Sequence, residues 1–104
     1  MAEFVLRPAA HADLDGIWEY TRRTWGESQA NAYIRMLAAA FESLSTAPGL
    51  GRQRDELHPG LRVFRSGKHL IFYLATEPLD VVRELLDRMD FSSHLGREAA
   101  SAGS

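Results

Sequence analysis

The sequence predicts one α+β domain, in which an N-terminal helical hairpin packs on a small antiparallel sheet. Two amphipathic helical patterns follow each other with only Gly26 and Glu27 between them. Three short apolar runs come next, separated by tight turns, which is typical of an antiparallel meander. Since a short strand-like run precedes the helices, the predicted order is β-α-α-β-β-β.

The first helix is predicted to start at Pro8, because proline suits the first turn of a helix, where its missing N–H would be unpaired anyway. Residues Glu3 to Leu6 before it have strand composition. Gly26 is expected to end this helix, which gives it a length of roughly 17 residues. The residues that recur on its apolar face are Ala10, Leu14, Ile17, Trp18, Thr21 and Trp25. Asp13 and Asp15 are expected in the early turns, where carboxylates favour the helix dipole.

The second helix is predicted to begin near Ser28, a residue that caps helix N-termini well. Pro48 and Gly49 end it. Its apolar positions, in steps of three and four, are Ala30, Ile34, Leu37, Phe41 and Leu44. The connection is so short that the two helices must be antiparallel, and their apolar faces need a third surface to cover them.

Residues 48–60 are predicted to be a loop, and strands are predicted over 61–66, 69–75 and 79–86. The middle strand is apolar on both faces, which suits a central position. The strand at 3–6 is expected at a sheet edge or beside the last strand, because it cannot stand alone. We expect one domain over residues 1–96 and a flexible tail at 97–104, which is small and polar.

Composition excludes several classes of protein. The chain has 104 residues, of which 45% are apolar and 25% charged, so one globular core is expected. The absence of cysteine excludes a disulfide scaffold and thiolate chemistry, and the net charge of −2 argues against nucleic-acid binding over the whole surface. No apolar run is long enough to span a membrane, and residues 1–7 do not look like a signal peptide, so a cytoplasmic protein is expected.

Few residues suggest chemistry. There is no glycine-rich phosphate loop and no nucleophile-elbow motif, and no two histidines are spaced to bind a metal together. We therefore predict no metal site and no cofactor. His69 follows Lys68 and could shuttle protons, although a polar residue beside a turn is the favoured interpretation.

Basic residues concentrate in the second half of the chain. Five lie in one segment, namely Arg52, Arg54, Arg62, Arg65 and Lys68. Arg65 and Lys68 flank a predicted turn, where they could meet phosphates or an acidic protein; an ordinary solvated surface is the alternative. Arg83 lies within an apolar strand and, if buried, is predicted to pair with Asp87 or Asp90.

Taken together, residues 4 to 95 resemble the ParE-type toxins of the RelE/ParE superfamily, which belong to bacterial type II toxin–antitoxin modules. The matching stretches, in order, are Pro8-Ala9-Ala10, Asp13-Leu14, Ile17-Trp18-Glu19-Tyr20, Ala47-Pro48-Gly49-Leu50-Gly51-Arg52, Pro59-Gly60-Leu61-Arg62, His69-Leu70-Ile71-Phe72-Tyr73, Val81-Val82-Arg83, Arg88-Met89-Asp90 and His94-Leu95. No single stretch is diagnostic, but their order and spacing cover nearly the whole chain.

The resemblance implies a non-enzymatic toxin that inhibits DNA gyrase and is neutralised by a ParD-like antitoxin, which lays an amphipathic helix and an extended tail around it. We expect the antitoxin in an apolar groove where the helices meet the sheet. The predicted antitoxin-binding residues are Trp18, Trp25, Tyr33 and Leu37. The predicted target-binding residues are Arg62, Arg65, Lys68, His69, Arg83, Arg88 and Phe91.

Two alternatives stay open at this stage. One is a ribosome-dependent mRNA endonuclease like those of the RelE branch, which are richer in basic residues than this chain. The other is a non-toxic partner that persists with its antitoxin as a co-repressor. Leu86 bears on the second alternative. Many relatives have a histidine at this position, and if that histidine acts on the target, a chain with leucine there would be non-toxic. A further departure is Arg7, which stands where many relatives have a Ser or Thr helix cap.

Overall fold

A computed structural model describes residues 3–86 of the chain. The predicted tail at 97–104 therefore lies outside the described residues. The helices and strands, in chain order, are β1 (Phe4–Leu6), α1 (Pro8–Trp25), α2 (Glu27–Thr46), β2 (Arg52–Gln53), β3 (Leu61–Ser66), β4 (His69–Leu74) and β5 (Leu79–Leu86). A 3-10 turn (Pro48–Leu50) separates α2 from β2.

The strands form one sheet in the order β1-β5-β4-β3-β2, with the meander β3-β4-β5 at its centre. The predicted α+β class, element order and central position of β4 are confirmed. Two details differ from the prediction. Residues Arg52–Gln53, predicted to be loop, add a fifth strand by pairing with β3. The sheet is also not wholly antiparallel, since β1 runs parallel to β5. The helices and the meander supply the long crossover that a parallel pair requires.

The two helices are joined by Gly26 alone. Its φ of 101° lies in the region that favours glycine, so the chain turns within one residue. Gly26 donates its N–H to the carbonyl of Arg22 at 2.9 Å and accepts from the N–H of Ala30 at 3.1 Å. The predicted cap at Ser28 was wrong, because α2 already starts at Glu27 and no side chain caps it.

Pro8 occupies the start of α1, as predicted, and no side chain caps this helix either. Arg7, at the cap position, binds Asp80 of β5 instead, with Nη2 and Oδ2 2.6 Å apart. Asp13 and Asp15 lie early in α1, as expected, although neither is in its first turn, where the helix dipole acts most strongly.

The core lies on both faces of β4. On the helix side, one cluster of buried side chains consists of Ala10, Phe41, Leu44, Ile71, Tyr73, Leu79 and Val81. On the other face, the buried cluster consists of Leu61, Leu70, Phe72, Val82 and Leu85, with Leu57 packed against it. Because alternate residues of a strand point to opposite faces, β4 contributes to both clusters.

The buried Tyr73 ties the 3-10 turn to the sheet. Its hydroxyl accepts the Gly51 N–H at 2.8 Å and donates to the Pro48 carbonyl at 2.7 Å. A Cβ on Gly51 would lie 2.4 Å from the same hydroxyl oxygen, so the contact requires glycine there. Thus one side chain satisfies two backbone groups of the turn that precedes β2.

Candidate functional site

The predicted antitoxin-binding residues differ widely in accessibility. Trp25, at the end of α1, is 71% exposed. Trp18 is half-buried and donates its indole N–H to Asn31 of α2 at 2.9 Å. Tyr33 is also half-buried, whereas Leu37 is fully buried. Leu37 lies on the face of α2 that meets the sheet, so in this conformation it supports the core and does not reach a partner.

Two further large side chains are open on the helices. Tyr20 of α1 is 64% exposed and Met36 of α2 is 39% exposed. Sequence reasoning missed both, because it followed only the apolar period that faces the core. The signal in the sequence was the presence of large apolar residues outside that period. Exposed apolar side chains of this kind distinguish binding surfaces from ordinary solvated surfaces.

The turn between β3 and β4 and the residues on either side of it, which we call the hairpin tip (residues 65–69), present two of the predicted cations. Arg65 and Lys68 are both exposed at this end of the sheet, as the sequence predicted. Arg62 is not part of the tip. It pairs with Tyr73 further along β3 and donates from Nη1 to the carbonyl of Gly51 at 2.6 Å.

His69 faces α2 and not the surface of the tip. It is 7% exposed, and its Nδ1 is hydrogen bonded to the Tyr33 hydroxyl at 2.5 Å. Burial lowers the pKa of His69, which favours the neutral imidazole. Burial likewise raises the pKa of Tyr33. In this conformation His69 is a buried partner of Tyr33 and is not exposed at the surface of the hairpin tip.

Helix α2 and the hairpin tip touch directly. A Cβ on Gly67 would lie 3.5 Å from the Tyr33 hydroxyl oxygen and 3.6 Å from Cε of Met36. We call this contact between Tyr33, Met36, Gly67 and His69 the seam. It makes the exposed surface of α2 continuous with the tip that carries Arg65 and Lys68.

Arg83 is held by Asp13 of α1, a partner that the sequence analysis did not name. Nε and Nη2 of Arg83 donate to the two carboxylate oxygens at 2.7 and 2.8 Å, and the Glu84 N–H donates to Oδ2 at 3.0 Å. Asp87 and Asp90 lie outside the described residues, so the pairing of Arg83 with either of them stays a prediction. Asp13 reaches Arg83 because α1 packs against β5.

Glu84 is an acid inside the core that the sequence analysis did not single out. It is 2% exposed, and neither carboxyl oxygen has a hydrogen-bond partner within residues 3–86. Burial, together with the negative charge of Asp13, raises the pKa of Glu84 to about 9. The signal in the sequence was an acid within the mostly apolar strand Leu79–Leu86. A strand with one solvated face would show alternating apolar and polar residues, and this strand does not.

Comparison with known proteins decides the family. The sequence profile described as "ParE toxin of type II toxin-antitoxin system, parDE" matches residues 4–90. The chain belongs to the ParE toxin family. Toxin ParE1 of Mycobacterium tuberculosis is 41% identical over 96 residues, which cover 90% of this chain and 98% of the relative. Toxin ParE of Escherichia coli is 40% identical over 97 residues, covering 91% and 94%.

The fold agrees with that assignment. A chain from the solved chromosomal ParDE TA system from P. aeruginosa superposes with a TM-score of 0.70 at 18% identity, covering 83% of this chain and 96% of that one. In this ParE chain, the predicted target contacts Arg88 and Phe91 lie outside the described residues. Residues 3–86 contain no group of three potential metal ligands, and no helix among them is long and apolar enough to cross a membrane.

Proposed function

We propose that this ParE toxin acts by protein–protein contact in the cytoplasm, without catalysis of its own. A ParD-type antitoxin binds the helical hairpin of the toxin, and the hairpin tip binds the target, DNA gyrase. The observation that carries the proposal is the seam, where the apolar helix surface adjoins Arg65 and Lys68. An antitoxin on α2 would therefore lie against the very cations that the target needs.

The antitoxin part rests on exposed apolar side chains. Trp25 and Met36 are exposed on an otherwise folded helical hairpin, and a partner helix buries such side chains in a groove. Large aromatic residues also supply much of the binding free energy in interfaces. The family name and the solved ParDE TA system support a ParD-type partner.

Replacing Trp25 by glutamate should weaken antitoxin binding at least ~30-fold, because the change removes an aromatic anchor and inserts a charge into an apolar contact. The side chain is open to solvent, so the fold should tolerate the change. The affinity is measured by calorimetry with the purified cognate antitoxin. Gln29→Glu, which adds the same charge at an exposed position of α2, is the matched control. Unchanged affinity in the Trp25 variant would place the antitoxin elsewhere.

The target part rests on charge. Arginine and lysine side chains at an exposed tip attract acidic surfaces, and a single exposed charge contributes little. Changing Arg65 and Lys68 together to alanine should therefore reduce inhibition of gyrase supercoiling by about tenfold or more. Arg23→Ala/Arg35→Ala removes the same charge from exposed positions on the helices and should inhibit like the unchanged toxin.

These outcomes separate the remaining candidates. If supercoiling is unaffected at protein excess while cells stop growing, the target is not gyrase. If neither supercoiling nor growth changes, the chain is a non-toxic antitoxin partner, and Leu86→His is then the first variant to test for restored poisoning.

An mRNA endonuclease would need a base and an acid beside the phosphate-binding cations. His69 is the histidine of the hairpin tip, and it is buried against Tyr33. We therefore expect no codon-specific cleavage in translating ribosomes when the toxin is induced. Cleavage mapped by primer extension, and lost in His69→Ala, would show that the protein is an enzyme.

A further inference from the structure

The carboxyl group of Glu84 lacks any counterpart in the described chain. Both oxygens are buried, and neither accepts or donates a hydrogen bond there. Buried polar groups in folded proteins nearly always have a partner, and an exception calls for an explanation such as a ligand not present in the free protein. Glu84 is therefore a candidate binding group.

The position of Glu84 places it at the seam. Glu84 pairs with Ile71 across the β4–β5 ladder, and Leu86 pairs with His69, so Glu84 and His69 lie on the same face as diagonal neighbours. Tyr33 reaches over from α2 to bond His69, and the charge of Glu84 also acts on its hydroxyl. Tyr33 is half-buried, so it joins the exposed surface of α2 to the region around this carboxyl.

We propose that Glu84 is the acceptor for a basic side chain, an arginine or a lysine, supplied by the protein partner that docks on the helical hairpin. The inference rests on the antitoxin part of the proposed function. Tyr33 turns away from His69, and the incoming cation enters the seam. Glu84 releases its proton to solvent, and its two oxygens then accept N–H hydrogen bonds from the cation.

The chemistry of the site favours a cation over other ligands. An ionised carboxylate only accepts hydrogen bonds, and its two oxygens match the two parallel N–H groups of a guanidinium. The second carboxylate nearby, Asp13, already accepts three hydrogen bonds and adds negative charge. An anionic group would be disfavoured by the negative charge of Asp13, and an apolar group would leave Glu84 without a hydrogen-bond partner.

Of the charged and titratable groups around Glu84, Glu84 itself is the one expected to lose a proton when a cation binds between pH 7 and pH 9. On α1 and β5, Asp13 and Arg83 form an ion pair. On β4, burial lowers the pKa of His69 from its ordinary value, and on α2 burial raises the pKa of Tyr33. Because the pKa of Glu84 is about 9, a cation that ionises it between pH 7 and pH 9 must displace a proton.

The test is calorimetric titration of the full chain with its purified cognate ParD-type antitoxin at pH 7, 8 and 9. Two buffers of different ionisation enthalpy report proton release. We expect about one proton released per toxin near pH 7, and a Kd that falls about fifty-fold from pH 7 to pH 9. Glu84→Gln should lose both effects. Glu42→Gln, at an exposed position of α2, should keep them.

The possible failures are distinguishable. If the unchanged toxin binds without proton release, or if Glu84→Gln keeps the full pH dependence, Glu84 accepts no cation while the antitoxin proposal stands. If the unchanged toxin does not bind the antitoxin at any pH, the proposed function fails and this inference fails with it.

Discussion

Replacing Glu84 by glutamine should raise the free energy of unfolding at pH 7 by about 3 kcal/mol. Folding buries the carboxyl and raises its pKa from 4.5 to about 9. At pH 7 the unfolded chain has lost this proton and the folded chain must keep it, over a difference of ~2.5 pKa units at ~1.4 kcal/mol each. Glutamine has the same shape as the protonated acid and no proton to take up.

The contribution of Glu84 to stability should depend on pH in one direction. A raised pKa of the folded state means that the stability associated with this group is complete below pH 4.5 and is lost as the pH rises towards 9. The stability difference between Glu84→Gln and the unchanged chain should therefore vanish at pH 4 and grow up to pH 9. Urea denaturation at several pH values measures it. Glu42→Gln should show no such trend, and a pH-independent difference for Glu84→Gln would contradict the prediction.

Replacing Arg83 by methionine should lower the free energy of unfolding by about 3 kcal/mol. The side chains of Arg83 and Asp13 are only 14% and 13% exposed, and the guanidinium donates two hydrogen bonds to the carboxylate. Without Arg83, Asp13 keeps one N–H bond from Glu84 and remains a buried charge beside another acid. Removing one partner of a buried ion pair lowers the free energy of unfolding by far more than the intact pair adds to it.

Denaturation at pH 7 measures the loss, and two further variants identify its cause. Arg22→Met breaks the exposed pair with Glu19 and should leave stability little changed. Adding Asp13→Leu to Arg83→Met should recover much of the loss, because the uncompensated charge is gone and apolar groups fill the space. If the double variant is no more stable than Arg83→Met, a buried charge is not the reason.

The sequence alone determined the elements and their order. The apolar periods of 3.6 and 2 residues are local properties of the chain, so both helices and strands β3 to β5 were predicted with nearly the observed bounds. The exposed cations at the hairpin tip followed from the same reasoning, because Arg65 and Lys68 flank a turn. The family resemblance likewise rested on the linear order of motifs, and the match over residues 4–90 confirms it.

Only the tertiary structure decided which polar groups meet. Strand β2 forms because β3 offers it an open edge, and Arg52–Gln53 shows no strand pattern of its own. Asp13 and Arg83 are seventy residues apart in sequence, and they pair because α1 packs against β5. His69 and Glu84 are buried because their strand positions face the helices, which no local pattern reveals. Hydrophobic periodicity depends on neighbours along the chain, whereas the partner of a buried charge depends on how distant elements pack.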